Sequence, residues 1–188
     1  RKASFGYFGH MWELYTFWAF VPILLKTYSD MYTKVQFNIP LLSFFIIGIG
    51  SISCVLGSYL AAKFGTKRTA FSVLLLSCIC CLVSPLFFLV SNGTIFLLFL
   101  LFWGMVVIAD SALFSTLVAQ NAPKKDKGTA LTIVNCIGFS ITILSIQLIS
   151  TLYHSTSSTF IFLTLAIGPV LGLISLRSKR CFKRSIYL

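Results

Sequence analysis

Residues 39–62 read IPLLSFFIIGIGSISCVLGSYLAA, and residues 63–69 read KFGTKRT. The first stretch carries no charge over a length that suits the ~20 residues a helix needs to cross the hydrocarbon layer. The second places Lys63, Lys67 and Arg68 directly at its end, as expected where a span meets the polar side that retains cations.

Working outward, the same alternation recurs. Apolar runs are predicted as spans near 5–25, 39–62, 70–90, 95–120, 129–152 and 159–176, joined by short polar connections at 26–38, 63–69, 91–94, 121–128 and 153–158. None of these connections can hold a separate domain. The expected organisation is one six-helix transmembrane bundle over 1–176 and a basic tail over 177–188. Composition agrees: 57% hydrophobic residues, 10% charged residues and a mean hydropathy of +0.95 leave too little polar surface to cover a soluble globule.

The net charge of +11 would suggest nucleic acid in a soluble protein. Here the cations fall between and beyond the apolar runs and read as orienting charges, so no nucleic-acid partner is expected. Alternate connections and ends carry Arg1 and Lys2, then Lys63, Lys67 and Arg68, then Lys124, Lys125 and Lys127, then Arg177, Lys179, Arg180, Lys183 and Arg184. The opposite side holds only Lys26 and Lys34, a split of 13 to 2. Both termini are therefore expected in the cytoplasm, with the protein multi-pass in the cell membrane and the bilayer as its surroundings. Residue 1 is Arg and not Met, and the chain is expected to begin inside a longer polypeptide or to be processed.

Cys54, Cys78, Cys80, Cys81 and Cys136 lie inside apolar runs and Cys181 in the tail, which argues against a disulfide framework. Cys78 and Cys81 have C-x-x-C spacing without a His or a second pair, so neither a metal nor a redox role is expected. No H-E-x-x-H, G-x-S-x-G or phosphate loop occurs; no enzyme activity and no cofactor are expected. Asn92-Gly93-Thr94 has the glycosylation pattern, but in a connection so close to the bilayer Ser91-Asn92-Gly93 reads as a turn.

Within the spans only His10, Glu13 and Asp110 can carry charge. Such groups are costly in hydrocarbon, about 2.5–3.5 kcal/mol each on insertion scales, which makes them the leading functional candidates. His10 and Glu13 stand at i and i+3 and are expected to touch. Tyr7 and Phe17 extend the stripe, which is read either as a substrate or proton path or as a pair that only fixes helix packing. A proton-sensitive His10–Glu13 pair is expected, since a buried acid and a nearby imidazole shift one another's titration. Asp110, sixteen residues after Thr94, should sit about 24 Å deep, toward the cytoplasmic face. Lys67 or Arg68 is expected to reach it in a gating or structural role. Asn135, Gly138, Thr142 and Ser145 make one small, polar face of the fifth span, lining a path or admitting a close helix neighbour. Gly50, Cys54 and Gly57 favour close packing in the second span, and Pro85 and Pro169 are expected to bend the third and sixth.

The run Gly57-Ser58-Tyr59-Leu60-Ala61-Ala62-Lys63-Phe64-Gly65-Thr66-Lys67-Arg68 resembles the G-x-L-x-D-R-x-G-R-R loop signature of the major facilitator superfamily, with Gly57 and Gly65 as its glycines. Residues 7–15 (YFGHMWELY), Ala109-Asp110-Ser111 and Gly128-Thr129-Ala130-Leu131-Thr132 are similar to the carboxy-terminal half of bacterial members described as nitrate/nitrite- or cyanate-transporter-like. The resemblance covers nearly the whole chain. It implies an all-α half-transporter of inverted three-helix repeats, moving a small molecule or ion by alternating access with a missing amino-terminal six-helix half as partner. The first and fourth spans would line the path. Ala62 replaces the signature's acidic residue, so its usual carboxylate contact cannot form, while Lys67 and Arg68 keep the basic end. From another class, a six-span pore or a non-transporting scaffold subunit would share these features.

Overall fold

The computed structural model describes residues 2–156 and 159–177. Arg1 and the tail cations Lys179, Arg180, Lys183 and Arg184, with Cys181, lie outside the described residues. Among the described residues eight α-helices and one 3₁₀ helix follow in order: α1 Lys2–Met31, α2 Ile39–Gly48, α3 Gly50–Phe64, α4 Thr66–Phe88, α5 Gly93–Ala109, α6 Ser111–Asn121, α7 Lys127–Thr156, a 3₁₀ helix Thr159–Ala166 and α8 Ile167–Arg177. Helices α2 and α3 form one span interrupted at Ile49, α5 and α6 one span interrupted at Asp110, and the 3₁₀ helix continues into α8.

Five of these segments are long and apolar enough to cross a membrane: Ile39–Phe64, Thr66–Phe88, Gly93–Asn121, Lys127–Ser155 and Thr159–Arg177. The first predicted span differs. Helix α1 has 30 residues, ample length, but His10 and Glu13 lower its apolarity. Half of it is buried, from Ala3 to Tyr28, because it packs along α7 and α8 and also against α6. A helix wrapped by other helices needs no uniformly apolar surface. Around it, large apolar side chains on α2, α3, α4, α5, α7 and α8 point outward, among them Phe44, Val55, Leu82, Leu98, Leu144 and Ile174. This is the inversion expected of a protein solvated by lipid.

The connections are tighter than the hydropathy pattern implied, since the charged helix ends remain helical beyond the apolar runs. Between α3 and α4 only Gly65 leaves the helix, with φ +92°. Its N–H donates to the Ala61 carbonyl at 2.9 Å, and its carbonyl accepts from the Thr69 amide at 3.1 Å and the Thr69 hydroxyl at 3.2 Å. At the opposite end Asn92 caps α5, its side-chain oxygen accepting from the amides of Thr94 (3.0 Å) and Ile95 (3.4 Å). That is the structural use of the Ser91-Asn92-Gly93 turn.

Small residues bring the helices together. A Cβ built on Gly57 would lie 2.5 Å from the Ala109 carbonyl oxygen, and one on Gly104 would lie 2.5 Å from that of Ile46. The Cys54 thiol donates to the Ile108 carbonyl at 3.6 Å. The second span is thus seated on the fourth by close backbone approach, as its Gly50, Cys54 and Gly57 spacing suggested. Gly9 and Gly168 make a second such crossing between α1 and α8. Pro169 falls in the first turn of α8, where a missing N–H is tolerated. The 3₁₀ helix before it rises faster per residue, which stretches Thr159–Arg177 to about 32 Å, enough to cross the hydrocarbon layer.

Candidate functional site: a polar waist between two apolar cores

The buried apolar side chains form two clusters. One contains Leu14, Phe17, Cys78, Trp103 and Ile108; the other contains Met11, Leu74, Leu113 and Phe114. Helix α1 passes from one to the other between Met11 and Leu14, α4 between Leu74 and Cys78, and the fourth span between Ile108 and Leu113. Glu13, Ser77 and Asp110 occupy those crossings, so a thin polar layer divides the bundle at the level of the midpoint of α4.

Glu13 is 1% exposed. Its Oε1 accepts from the Ser77 hydroxyl at 2.6 Å, the Trp103 indole N–H at 2.8 Å and the Cys81 thiol at 3.1 Å. Helix α4 presents Ser77 and Cys81 together because they are one turn apart. Pro85 sets the local backbone: it cannot donate to the Cys81 carbonyl four residues back, and the Ser84 hydroxyl donates there instead at 2.8 Å. The five described cysteines are free thiols, and Cys81 serves as a donor to the carboxylate.

His10, also 1% exposed, does not pair with Glu13. Its Nδ1 lies 2.8 Å from Asp110 Oδ1, with both side chains buried. Neither Asp110 oxygen has a hydrogen-bond donor aimed at it, and His10 Nε2 has no partner either. The contact is therefore a close approach without the geometry of a linear hydrogen bond. The rings of Phe114 and Tyr7 flank the imidazole at centroid distances of 5.9 and 6.2 Å.

Two expectations are corrected here. An i, i+3 spacing leaves two side-chain directions about 60° apart on a helix, and around a helix enclosed on most sides those directions meet different neighbours. His10 meets the break of the fourth span, whereas Glu13 meets α4 and α5. Asp110, expected near Lys67 or Arg68, has His10 as its close neighbour. Lys67 and Arg68 lie exposed in the first turn of α4.

The remaining candidates are placed as follows. Tyr7 is buried and packs against Gly138, where an added Cβ would come within 2.8 Å of its ring. Phe17 is fully buried against Trp103, with ring centroids 4.6 Å apart. Thr142 Oγ1 donates to the Met11 carbonyl at 3.1 Å, and Ser145 Oγ, which bonds Thr16, also donates to the Trp12 carbonyl at 2.6 Å. The small face of α7 is thus a packing surface for α1, and Asn135 lies half-buried at its margin. Gly57 is a packing residue and Gly65 the turn residue of the loop signature. Trp103 and Ser77 were missed: an indole and a hydroxyl in apolar runs give no periodic signal. The carboxylate at Glu13, needing donors, was the one available hint.

Two surface cavities lie elsewhere. One, of about 540 Å³, is an apolar groove beside Gly48, Phe45 and Leu101; the other, of about 610 Å³, is an open vestibule by Lys26, Asp30 and Gln36. Neither includes His10, Glu13 or Asp110, each of which is buried.

A family model described as Major Facilitator Superfamily matches residues 3–146, a range that contains the whole polar waist. No curated protein and no solved structure matches the chain. The family match over most of the length, on an apolar bundle of membrane-crossing helices, makes this chain a member of the Major Facilitator Superfamily.

Proposed function

We propose that the chain carries a small solute across the cell membrane by alternating access, as one six-helix half of a twelve-helix secondary transporter, and that it catalyses no chemical conversion. In this reading α1 is also a span, which brings the total to six, both termini face the cytoplasm, and an amino-terminal six-helix half supplies the opposite wall of the path. The observation that carries it is the polar waist. Three ionisable side chains buried at mid-bundle are unfavourable in a passive anchor, whereas a path for polar cargo requires them.

The family match is to the superfamily as a whole, and the likeness to nitrate/nitrite- or cyanate-transporting members receives no support from it. Substrate is therefore read by experiment. In proteoliposomes the full-length protein should show saturable counterflow with at least one solute from a panel of nitrate, nitrite, cyanate, amino acids and small organic ions, and residues 1–188 alone should show none. Flux that never saturates would indicate a pore. Absence of flux for every solute in correctly folded full-length protein would favour a scaffold and defeat the proposal.

A further inference from the structure

We propose that the vestibule beside the end of α1 is a binding site for a small zwitterion, a solute with one carboxylate and one ammonium group, which Lys26 and Asp30 hold by their opposite charges. That such a solute is also cargo rests on the transport reading. That it binds here rests on geometry and charge alone.

Lys26, Ser29 and Asp30 fall in the last turns of α1. Spacings of three and four residues put them on one face, with Lys26 and Asp30 one turn apart and about 5–6 Å between their Cβ atoms. Both are exposed and no ion pair joins them, so neither charge is used up by the other. Beside them the Ser29 hydroxyl is buried and has no hydrogen-bond partner among the described residues, an unmet polar group on the wall of a cavity of about 610 Å³. Thr33 and Gln36 add a hydroxyl and an amide from the connection to α2. A simple anion here would be repelled by Asp30, and a simple cation by Lys26. A solute with both charges is attracted at each end, and the hydroxyls and the amide offer donors and acceptors along it.

The connection that closes the vestibule is held in place. The Tyr28 hydroxyl donates to the Val90 carbonyl at 2.6 Å and the Tyr32 hydroxyl to the Phe88 carbonyl at 3.1 Å, which ties the end of α1 to the end of α4. The Val35 amide donates to the Tyr32 carbonyl at 2.8 Å, and Phe37 stacks on Tyr28 with ring centroids 5.8 Å apart. Gly93 leaves room for this course of the chain, since a Cβ there would lie 2.8 Å from Val35 Cγ1. A wall formed before the ligand arrives lowers the ordering cost of binding. Lys34, the other lysine of this connection, is exposed and does not line the vestibule.

In purified full-length protein with a cysteine-free background, Thr33→Cys places a thiol on the exposed rim of the vestibule. Its rate of modification by an impermeant thiol reagent is measured with the zwitterions glycine, β-alanine and γ-aminobutyrate, and with butyrate and butylamine, which carry one charge each. Each variant is compared with itself in the absence of solute. At least one zwitterion should protect the thiol saturably, and neither single-charge solute should. Lys26→Gln and Asp30→Asn should each raise the half-protecting concentration about fivefold or more. Asp30→Asn should also admit butyrate and Lys26→Gln butylamine, whereas Lys34→Gln should change nothing. Lys26 and Asp30 are exposed, so neither substitution removes core packing. Protection by no zwitterion, equal protection by zwitterions and single-charge solutes, or protection that survives both Lys26→Gln and Asp30→Asn would overturn the assignment, and so would an equal loss in Lys34→Gln. Counterflow of the protecting zwitterion on the same protein reads the transport proposal separately: protection without counterflow leaves the site standing and removes its role in transport.

Discussion

Glu13 owes its place inside the bundle to three donors of unequal strength, and that inequality can be measured. The Ser77 hydroxyl and Trp103 indole make short bonds to Oε1, and the Cys81 thiol is an intrinsically weaker donor. Ser77→Ala or Trp103→Phe should each destabilise the folded protein by about 1–3 kcal/mol, because a buried acceptor loses a partner that no water can replace. Cys81→Ala should cost less. Reversible unfolding in micelles, with helicity and tryptophan emission as probes, gives the order, and a Cys81→Ala loss exceeding that of Ser77→Ala would contradict it. At this scale the sequence was legible in one direction only. The rarity of charge within apolar runs singled out His10, Glu13 and Asp110, and all three proved buried. Their partners were not legible, since Ser77 and Trp103 lie far along the chain from Glu13 and nothing local distinguishes them from other residues of their runs.

Elements meet here through backbone contact more than through large side chains, so glycines divide sharply into those that touch and those that do not. A Cβ on Gly168 would come 2.5 Å from the Gly9 carbonyl oxygen, whereas one on Gly48 would meet nothing within 4 Å. Gly168→Leu should force α8 off α1 and destabilise by about 1–3 kcal/mol or more, as overpacking does. Gly48→Leu should leave the unfolding midpoint nearly unchanged. Equal effects of the two substitutions would show that α1 and α8 do not cross as described. Hydropathy marked out five helical segments long and apolar enough to cross a membrane, but it is insensitive to interruptions such as Ile49 and Asp110, where one residue leaves the helix while the run stays apolar. It also undervalues α1, whose burial among other helices permits polar side chains that a lipid-facing helix would exclude.

For the molecule as a whole, the 13 to 2 distribution of cations makes a topological statement that the bundle itself leaves open. In a cysteine-free background, Ser91→Cys should react with an impermeant thiol reagent from outside the cell and Asp126→Cys only after permeabilisation. Reaction of both from one side would refute the six-span arrangement. Two of these spans are joined with very little slack. Helices α3 and α4 run without interruption into Gly65 from either side, and Thr69 holds the Gly65 carbonyl with both its amide and its hydroxyl. Mechanically this is a universal joint made of a single link: two stiff rods share one φ, ψ pair, and any change in the angle between them must be absorbed there. A left-handed φ of +92° is open to glycine and strained for other residues, so the compliance of the joint between these two helices is set by the absence of one methyl group.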